Sequence, residues 1–242
     1  MSTSRRGVLL GATALGAVAW GWQRFFVGRE SLTTVDIPGL PGWKRIDLAG
    51  VSGARGSATG AALVGVGEDD AVQPLHSDRL CDALFDDPKT GKVPVAVFSD
   101  FFCPFCRRLI PRLAARGGDD ICVTWHELPV LGPASEQAAR AAIAAELQGG
   151  YAAYQKALLA APFRPTAEAF GRAASAAGLQ PGKLLLDMNS REVSKRLLET
   201  RRAAETLGVY GTPGMVIGRT LVMGEISERS METLVNEAPL EC

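Results

Sequence analysis

Residues 92–99, KVPVAVFS, form an apolar, valine-rich run that ends three residues before Cys103-Pro104-Phe105-Cys106, where a helical pattern opens. An apolar run this short, without polar alternation, predicts a strand buried on both faces. Pro94 is tolerated near its start, where a missing N–H costs little. Pro104 has the fixed φ suited to a first helical position. Leu109, Ile110 and Leu113 then give a helix to about residue 115 its buried side, and Pro111 inside it predicts a kink. A buried strand running straight into a helix needs layers above and below it, which predicts an α/β architecture.

The remaining elements follow from periodicity and caps. Residues 77–85 predict a short helix capped by Ser77 that buries Leu80, Leu84 and Phe85. Residues 121–130 predict a second strand, with Ile121, Val123 and Trp125 alternating. It reads as a central strand, which makes Cys122 a small core residue. Ser135, Thr166 and Ser190 each precede a helical pattern, the first ending at Gly149-Gly150, the second at Gly178 and the third at Gly208. With a further helix over 151–160, this makes a helical block from about 134 to 208. Residues 215–218 and 220–224 predict a hairpin turning at Gly218-Arg219. A last helix over 228–236 buries Met231, Leu234 and Val235.

Basic and acidic residues balance at 26 each, which argues against a nucleic-acid partner. Apolar residues make up 47%, enough for a core without disulfide staples. Residues 1–27 have a charged start, Arg5-Arg6, and then a Gly/Ala-rich apolar run without acids. That is a secretory signal by composition and resembles a twin-arginine signal. Two readings stand for it. Ala17-Val18-Ala19 offers a cleavage site, whereas residues 8–27 have about the length of a membrane span, with Trp20, Trp22, Phe25 and Phe26 suited to the interface. Signal peptide or membrane anchor, both place the rest of the chain outside the cytoplasm, periplasmic or on the outer membrane face, where disulfides persist. Residues 28–75 are Gly- and Ser-rich, with short strand-like pieces at 33–37 and 61–66, and read as a loosely organised N-terminal extension that either packs on the main domain or spaces it from the membrane.

The order of strand, Cys-x-x-Cys at a helix start, strand, helical block, hairpin and helix resembles the thioredoxin fold. The large helical insertion resembles its DsbA-like branch. CPFC carries the resemblance together with Pro111, which matches the kinking proline of the active-site helix. Pro213 in VYGTPGMVIG matches the family's cis-proline loop, and ELPVLGPAS, residues 127–135, resembles the entry to the helical insertion. The resemblance covers about residues 76–240. It implies a thioredoxin-like domain over 76–242 with an all-helical insertion at about 134–208. It implies a thiol–disulfide oxidoreductase whose only redox group is the Cys103–Cys106 disulfide, with no bound cofactor. Its substrates would be unfolded or partly folded exported proteins. Its redox partner would sit in the membrane, a quinone-linked oxidase if the protein oxidises, or a reductase if it reduces or isomerises. Contact with the membrane itself would come through the N-terminal anchor.

A thiolate, not a thiol, attacks a disulfide. Cys103 stands at the positive end of a helix, so it is the expected nucleophile, with Cys106 resolving the mixed disulfide. Pro104 and Phe105 lie between the sulfurs and are the expected redox-tuning pair. DsbA oxidases typically carry His where this chain has Phe105, which predicts a weaker oxidant. If Thr212-Pro213 is cis, as the resemblance implies, the Thr212 backbone is free to pair with an extended substrate. Thr before this proline also occurs in isomerases and reductases of the wider family, which leaves the direction of electron flow open. The lack of a heptad pattern in 28–75 ranks an isomerase lower, since isomerases usually carry an oligomerisation module.

Asp100 and Glu127 are candidate proton acceptors, with solvation at a strand end as the alternative for each. Phe101-Phe102 reads as core plus the rim of an apolar peptide groove. His126 reads as a packed or surface histidine rather than a redox tuner. The chain has no second Cys-x-x-Cys and no His-x-x-His pair, so no zinc site is expected. Capture of Cu(I) by Cys103 and Cys106 is the one metal alternative, in a copper-binding protein. Cys81, Cys122 and Cys242 leave an odd thiol. A Cys81–Cys242 bridge is one pairing, decided only by the distance between them.

Overall fold

Every residue of β3, Val93–Ser99, is buried. Its sequence has no polar face because neither face meets water. The computed structural model describes residues 32–47, 74–86, 91–116, 118, 120–240 and 242. In it, β3 pairs in parallel with β4, Ile121–Glu127, and antiparallel with β5, Gly214–Ile217. β5 turns at Gly218-Arg219 into β6, Thr220–Met223. Two short strands, β1 (Thr34–Asp36) and β2 (Lys44–Ile46), extend the sheet beyond β6, giving the order β1-β2-β6-β5-β3-β4.

Residues 34–46 pack on the main domain as part of its sheet, and β1 falls within the strand-like piece 33–37. β2 runs parallel to β6, and Ile37, Leu40 and Trp43 are buried in the core between sheet and helices. β2 goes unpredicted, because three residues carry no readable period. The signal or anchor over 1–27, and most of the 28–75 extension, lie outside the described residues.

Eight helices are described. α1, Leu80–Leu84, follows a 3₁₀ turn, and Ser77 makes no capping bond there. Leu80, Leu84 and Phe85 are buried as expected. α2, Pro104–Arg116, continues through Pro111 and buries Cys106, Leu109, Ile110 and Leu113. Between β4 and β5 stand α3 (Pro133–Glu146), α4 (Tyr151–Leu159), α5 (Ala167–Ala176), α6 (Pro181–Asp187) and α7 (Arg191–Leu207). α8, Glu228–Glu237, closes the fold. Thr166 and Ser190 cap α5 and α7 by accepting from Ala169 N and Val193 N. Gly208 ends α7 at φ 75°, a conformation that costs glycine nothing. α6 escapes the sequence pattern because its seven residues are too few to show a helical period.

The helical block has its own core. Ala138, Ala139, Ala141, Ala142, Ala144 and Ala145 of α3 are all buried, and alanine lets neighbouring helices approach α3 closely. Phe101, Tyr154, Phe170, Leu184 and Leu197 fill the space around it. A second core joins Ala96, Phe98 and Val216 of the sheet to Leu80, Leu84 and the end of α7 at Ala203 and Leu207. β4 is an edge strand, not a central one. Cys122 is accordingly half-exposed rather than buried core.

Cys81 and Cys242 form a disulfide with Cα atoms 5.6 Å apart, closing a sequence separation of 161. It ties α1 to the residue whose carbonyl accepts from Arg219 Nη2. A crosslink over so long a loop removes conformations from the unfolded chain and is worth about 2–5 kcal/mol. Urea unfolding of Cys81→Ser is expected to show a loss of that order; an unchanged midpoint would mean the crosslink contributes nothing.

Candidate active site

The site is assembled at the C-terminal end of β3 by a carboxylate. Asp100 is 1% exposed. Its Oδ1 accepts from Phe102 N at 2.8 Å and from Ser135 Oγ at 2.8 Å. Its Oδ2 accepts from Val130 N at 3.0 Å and Leu131 N at 3.2 Å. The Asp100 carbonyl accepts from Cys103 N at 3.0 Å. One side chain thus ties the turn before Cys103 to the loop that opens α3. Asp100 is buried rather than solvated at a strand end, and both of its carboxylate oxygens accept hydrogen bonds. Ser135, expected as a helix cap, is one of its donors instead. α3 begins earlier, at Pro133, after Gly132 at φ 98°.

Cys103 immediately precedes α2, and its thiol donates to the Thr212 carbonyl at 3.3 Å. The Thr212-Pro213 peptide is cis. Two loops 109 residues apart in sequence therefore meet at one sulfur. Cys103 lines a groove of about 670 Å³, together with Pro104, Phe105, Thr212, Leu128–Pro133 and Tyr210. Glu136, Arg201 and Glu205 supply its charged lining. Phe105 is 49% exposed, Leu131 53% and Tyr210 62%, an apolar rim contributed by three separate segments. Phe101 and Phe102 are not part of it. Phe101 fills the helical core, and Phe102 packs its ring 5.1 Å from that of Phe163.

Cys106, one turn on, has no exposed surface. Its thiol is pushed up to about 12, chiefly by burial, with Cys103 adding to the rise and the Asp100 backbone and Thr212 side chain opposing it. Both sulfurs are free thiols and pack against Ile110 and Trp125. Both cysteines are buried, and they differ in that Cys103, 3% exposed, lines the groove whereas Cys106 does not.

Glu127 faces the same side of β4 as Trp125. It is buried and accepts from the Tyr151 hydroxyl, which in turn accepts from Gln155 Nε2 at 3.0 Å. Its second oxygen has no protein partner. Burial pushes its carboxyl up to about 8, against the pull of the Tyr151 hydrogen bond. Tyr151 stacks on Trp125 with ring centroids 6.4 Å apart, which links this acid through one ring to the packing around the dithiol. Among the described residues, neither Glu127 nor Asp100 hydrogen-bonds to Cys106 through its carboxylate. His126 points to the other face. Its Nε2 donates to Leu84 O at 2.9 Å, its ring stacks on Phe98 at 5.0 Å, and burial pushes it down to about 4. It is a packed histidine with the sheet between it and the dithiol.

Read from sequence, Ser135 has only the role of a helix cap, and Tyr151 and Arg108 have none. Arg108 stacks on Phe105 with its guanidinium carbon 4.8 Å from the ring centroid. Only the i, i+3 spacing of the two residues on α2 could have suggested it.

A model of the DSBA-like thioredoxin domain matches residues 94–236. The chain belongs to this family. It is a thiol–disulfide oxidoreductase by membership, since DsbA-like proteins exchange disulfides with substrate proteins and redox partners. No curated protein matches it significantly. Among solved structures, a thioredoxin-like oxidoreductase from Silicibacter pomeroyi DSS-3 is 32% identical, over 64% of this chain and 95% of that one, with a TM-score of 0.58. A periplasmic thioredoxin-like protein from Salmonella enterica serovar Typhimurium is 26% identical, over 68% and 98%, at 0.58. The thiol-disulfide exchange protein alpha-DsbA2 from Wolbachia pipientis, 22% identical over 66% and 92% at 0.59, shares the fold.

The buried acid and the buried imidazole leave opposite marks on stability. Glu127, raised from 4.5 to about 8, stabilises the fold fully below 4.5 and loses that contribution as pH rises to about 8. His126, lowered from 6.5 to about 4, contributes fully above 6.5 and loses its contribution as pH falls toward 4. Of the two, Glu127 alone acts between pH 6.5 and 8, where it lowers the unfolding free energy by on the order of 1 kcal/mol per pH unit. Urea unfolding across that window is expected to show this slope, and Glu127→Gln is expected to flatten it. An equal slope in the variant would locate the effect elsewhere.

Proposed function

We propose that the protein is an exported oxidant that introduces disulfides into other exported proteins. The observation that carries this reading is the asymmetry of the dithiol. Cys103, though buried, lines the groove beside Thr212, whereas Cys106 has no exposed surface and is absent from the lining. Starting from the Cys103–Cys106 disulfide, a substrate thiolate attacks Cys103 Sγ. The S–S bond breaks, and Cys106 leaves with the electron pair and takes up a proton, as its raised thiol value favours. A second substrate thiolate attacks the substrate sulfur of the mixed disulfide, and Cys103 is released. The substrate leaves as a disulfide and the enzyme as a dithiol. A membrane partner, a quinone-linked oxidase, then removes two electrons and two protons.

The groove suits an extended segment of an unfolded or partly folded chain, whose backbone would pair with Thr212 in strand-like fashion. The sheet and Asp100 fix the groove walls, so the substrate supplies the adaptable partner. Pro104 and Phe105 border the sulfur on the groove side, where they tune it. Export is supported by the Arg5-Arg6 signal, cleaved or kept as an anchor, and by the periplasmic name of the Salmonella protein. A second reading, the same dithiol kept reduced as a reductase or isomerase, is favoured by Thr212 before Pro213 and by Phe105 in place of histidine.

Cys106→Ser is expected to accumulate mixed disulfides through Cys103, and Cys103→Ser to form none and lose exchange activity altogether. Iodoacetamide is expected to alkylate Cys103 of the reduced protein ahead of Cys106; the reverse order would exchange their roles. Thiol trapping in intact cells fixes the direction. A mostly oxidised pair supports the oxidase, and a mostly reduced pair supports the second reading.

A further inference from the structure

Phe105 lies between the two cysteines with half its surface exposed, and it is not bare. Arg108 lies over its ring at 4.8 Å. That guanidinium is in turn gripped by Glu225, which follows β6: Arg108 Nε donates to Oε1 at 3.2 Å and Nη2 to Oε2 at 2.8 Å. A planar guanidinium held by a fork on one side and a ring face below has little freedom left. The next turn of α2 repeats the pairing with Arg112 and Glu228, so Arg108 is the cation of this row that leans on the residue between the sulfurs.

We infer that Arg108 is a positioning residue for the dithiol: held between Phe105 and Glu225 beside the Cys103-Pro104-Phe105-Cys106 turn, it is a cation that stabilises the reduced form. The Glu225 hydrogen bonds raise the Arg108 guanidinium above the usual arginine range, and the Cys103 sulfur adds to that rise. Glu225 is lowered, with the Arg108 bonds as the chief cause. Glu225 both places the cation and offsets part of its field. Phe105 then tunes the site through the guanidinium stacked on its ring. The inference rests on the dithiol exchange proposed above.

The test is the equilibrium with glutathione at pH 9, above the ordinary thiol value, in low salt. Two glutathione thiols give up two electrons and two protons to form one glutathione disulfide, and the Cys103–Cys106 disulfide becomes the dithiol. Arg108→Gln is expected to make the protein less oxidising by about two- to fivefold in the equilibrium constant, a modest effect because the Arg108 side chain is 56% exposed and screened by solvent. Glu225→Gln is expected to shift it the opposite way, since the cation loses its offset. The double variant is expected to fall between the two single variants, because both opposing charges are then gone. At 1 M salt the differences are expected to collapse. An unmoved or more oxidising Arg108→Gln overturns the inference, and so does a shift of the same sign in Glu225→Gln. In either case a wild-type protein that still exchanges with glutathione leaves the proposed function standing, whereas a wild-type protein that does not exchange overturns both.

Discussion

The four hydrogen bonds accepted by Asp100 hold the site in place. A carboxylate removed from water is tolerable only if its oxygens are satisfied, and here the donors come from three segments: the turn before Cys103, the loop after β4, and the first turn of α3. The same residue accepts the Cys103 amide through its carbonyl. The helical insertion, the β4 loop and the active-site helix are thereby registered against one another at one point. The groove exists because these segments are held at a fixed distance, and the exposed rim of Phe105, Leu131 and Tyr210 follows from it. Losing the Asp100 side chain would leave several buried donors unpaired at once, which is more damaging than losing any single contact in the groove.

Two cores divide the work around this point. The alanine-rich α3 lets the insertion close on itself around Phe101, two residues before Cys103. The opposite face of the sheet is closed by α1, the end of α7 and Trp43, and the Cys81–Cys242 crosslink stands at its border. The dithiol belongs to a third, small cluster with Ile110 and Trp125. The reactive sulfurs and the structural disulfide are thus kept in separate packing environments. Exchange chemistry at one does not have to disturb the other.

Much of this was readable where the signal is local. An unbroken apolar run, a proline at a helix start, Thr166 and Ser190 as caps and Gly208 as a stop are all decided within a few residues, and the structure has each of them in place. Cys-x-x-Cys with a distant Gly-Thr-Pro was enough for the family, because both motifs are short and their meeting is a property of the fold. What the sequence concealed needed a partner from elsewhere. Asp100 reads as a strand-end acid until Val130, Leu131 and Ser135 are seen to donate to it. Ser135 has the chemistry of a cap and is used inside the helix instead. Which side of β4 carries His126 follows from alternation only once it is known that Trp125 faces the dithiol. The pairing of Cys81 with Cys242 depends on a distance across the whole fold. β1 lies within a stretch that reads as strand-like, whereas β2 failed to show because a three-residue segment has no period.

The hydrogen bond from the Cys103 thiol to the Thr212 carbonyl has a further consequence. An extended substrate that pairs its backbone amide with that carbonyl takes the acceptor away from the sulfur. In the reduced protein, docking would then free the Cys103 sulfur in the same event. Under the proposed exchange, the fitting partner is a polypeptide with spare main-chain donors. A finished protein, whose amides are already committed to its own helices and sheets, has few to offer, so such a groove would favour unfolded chains without reading any sequence.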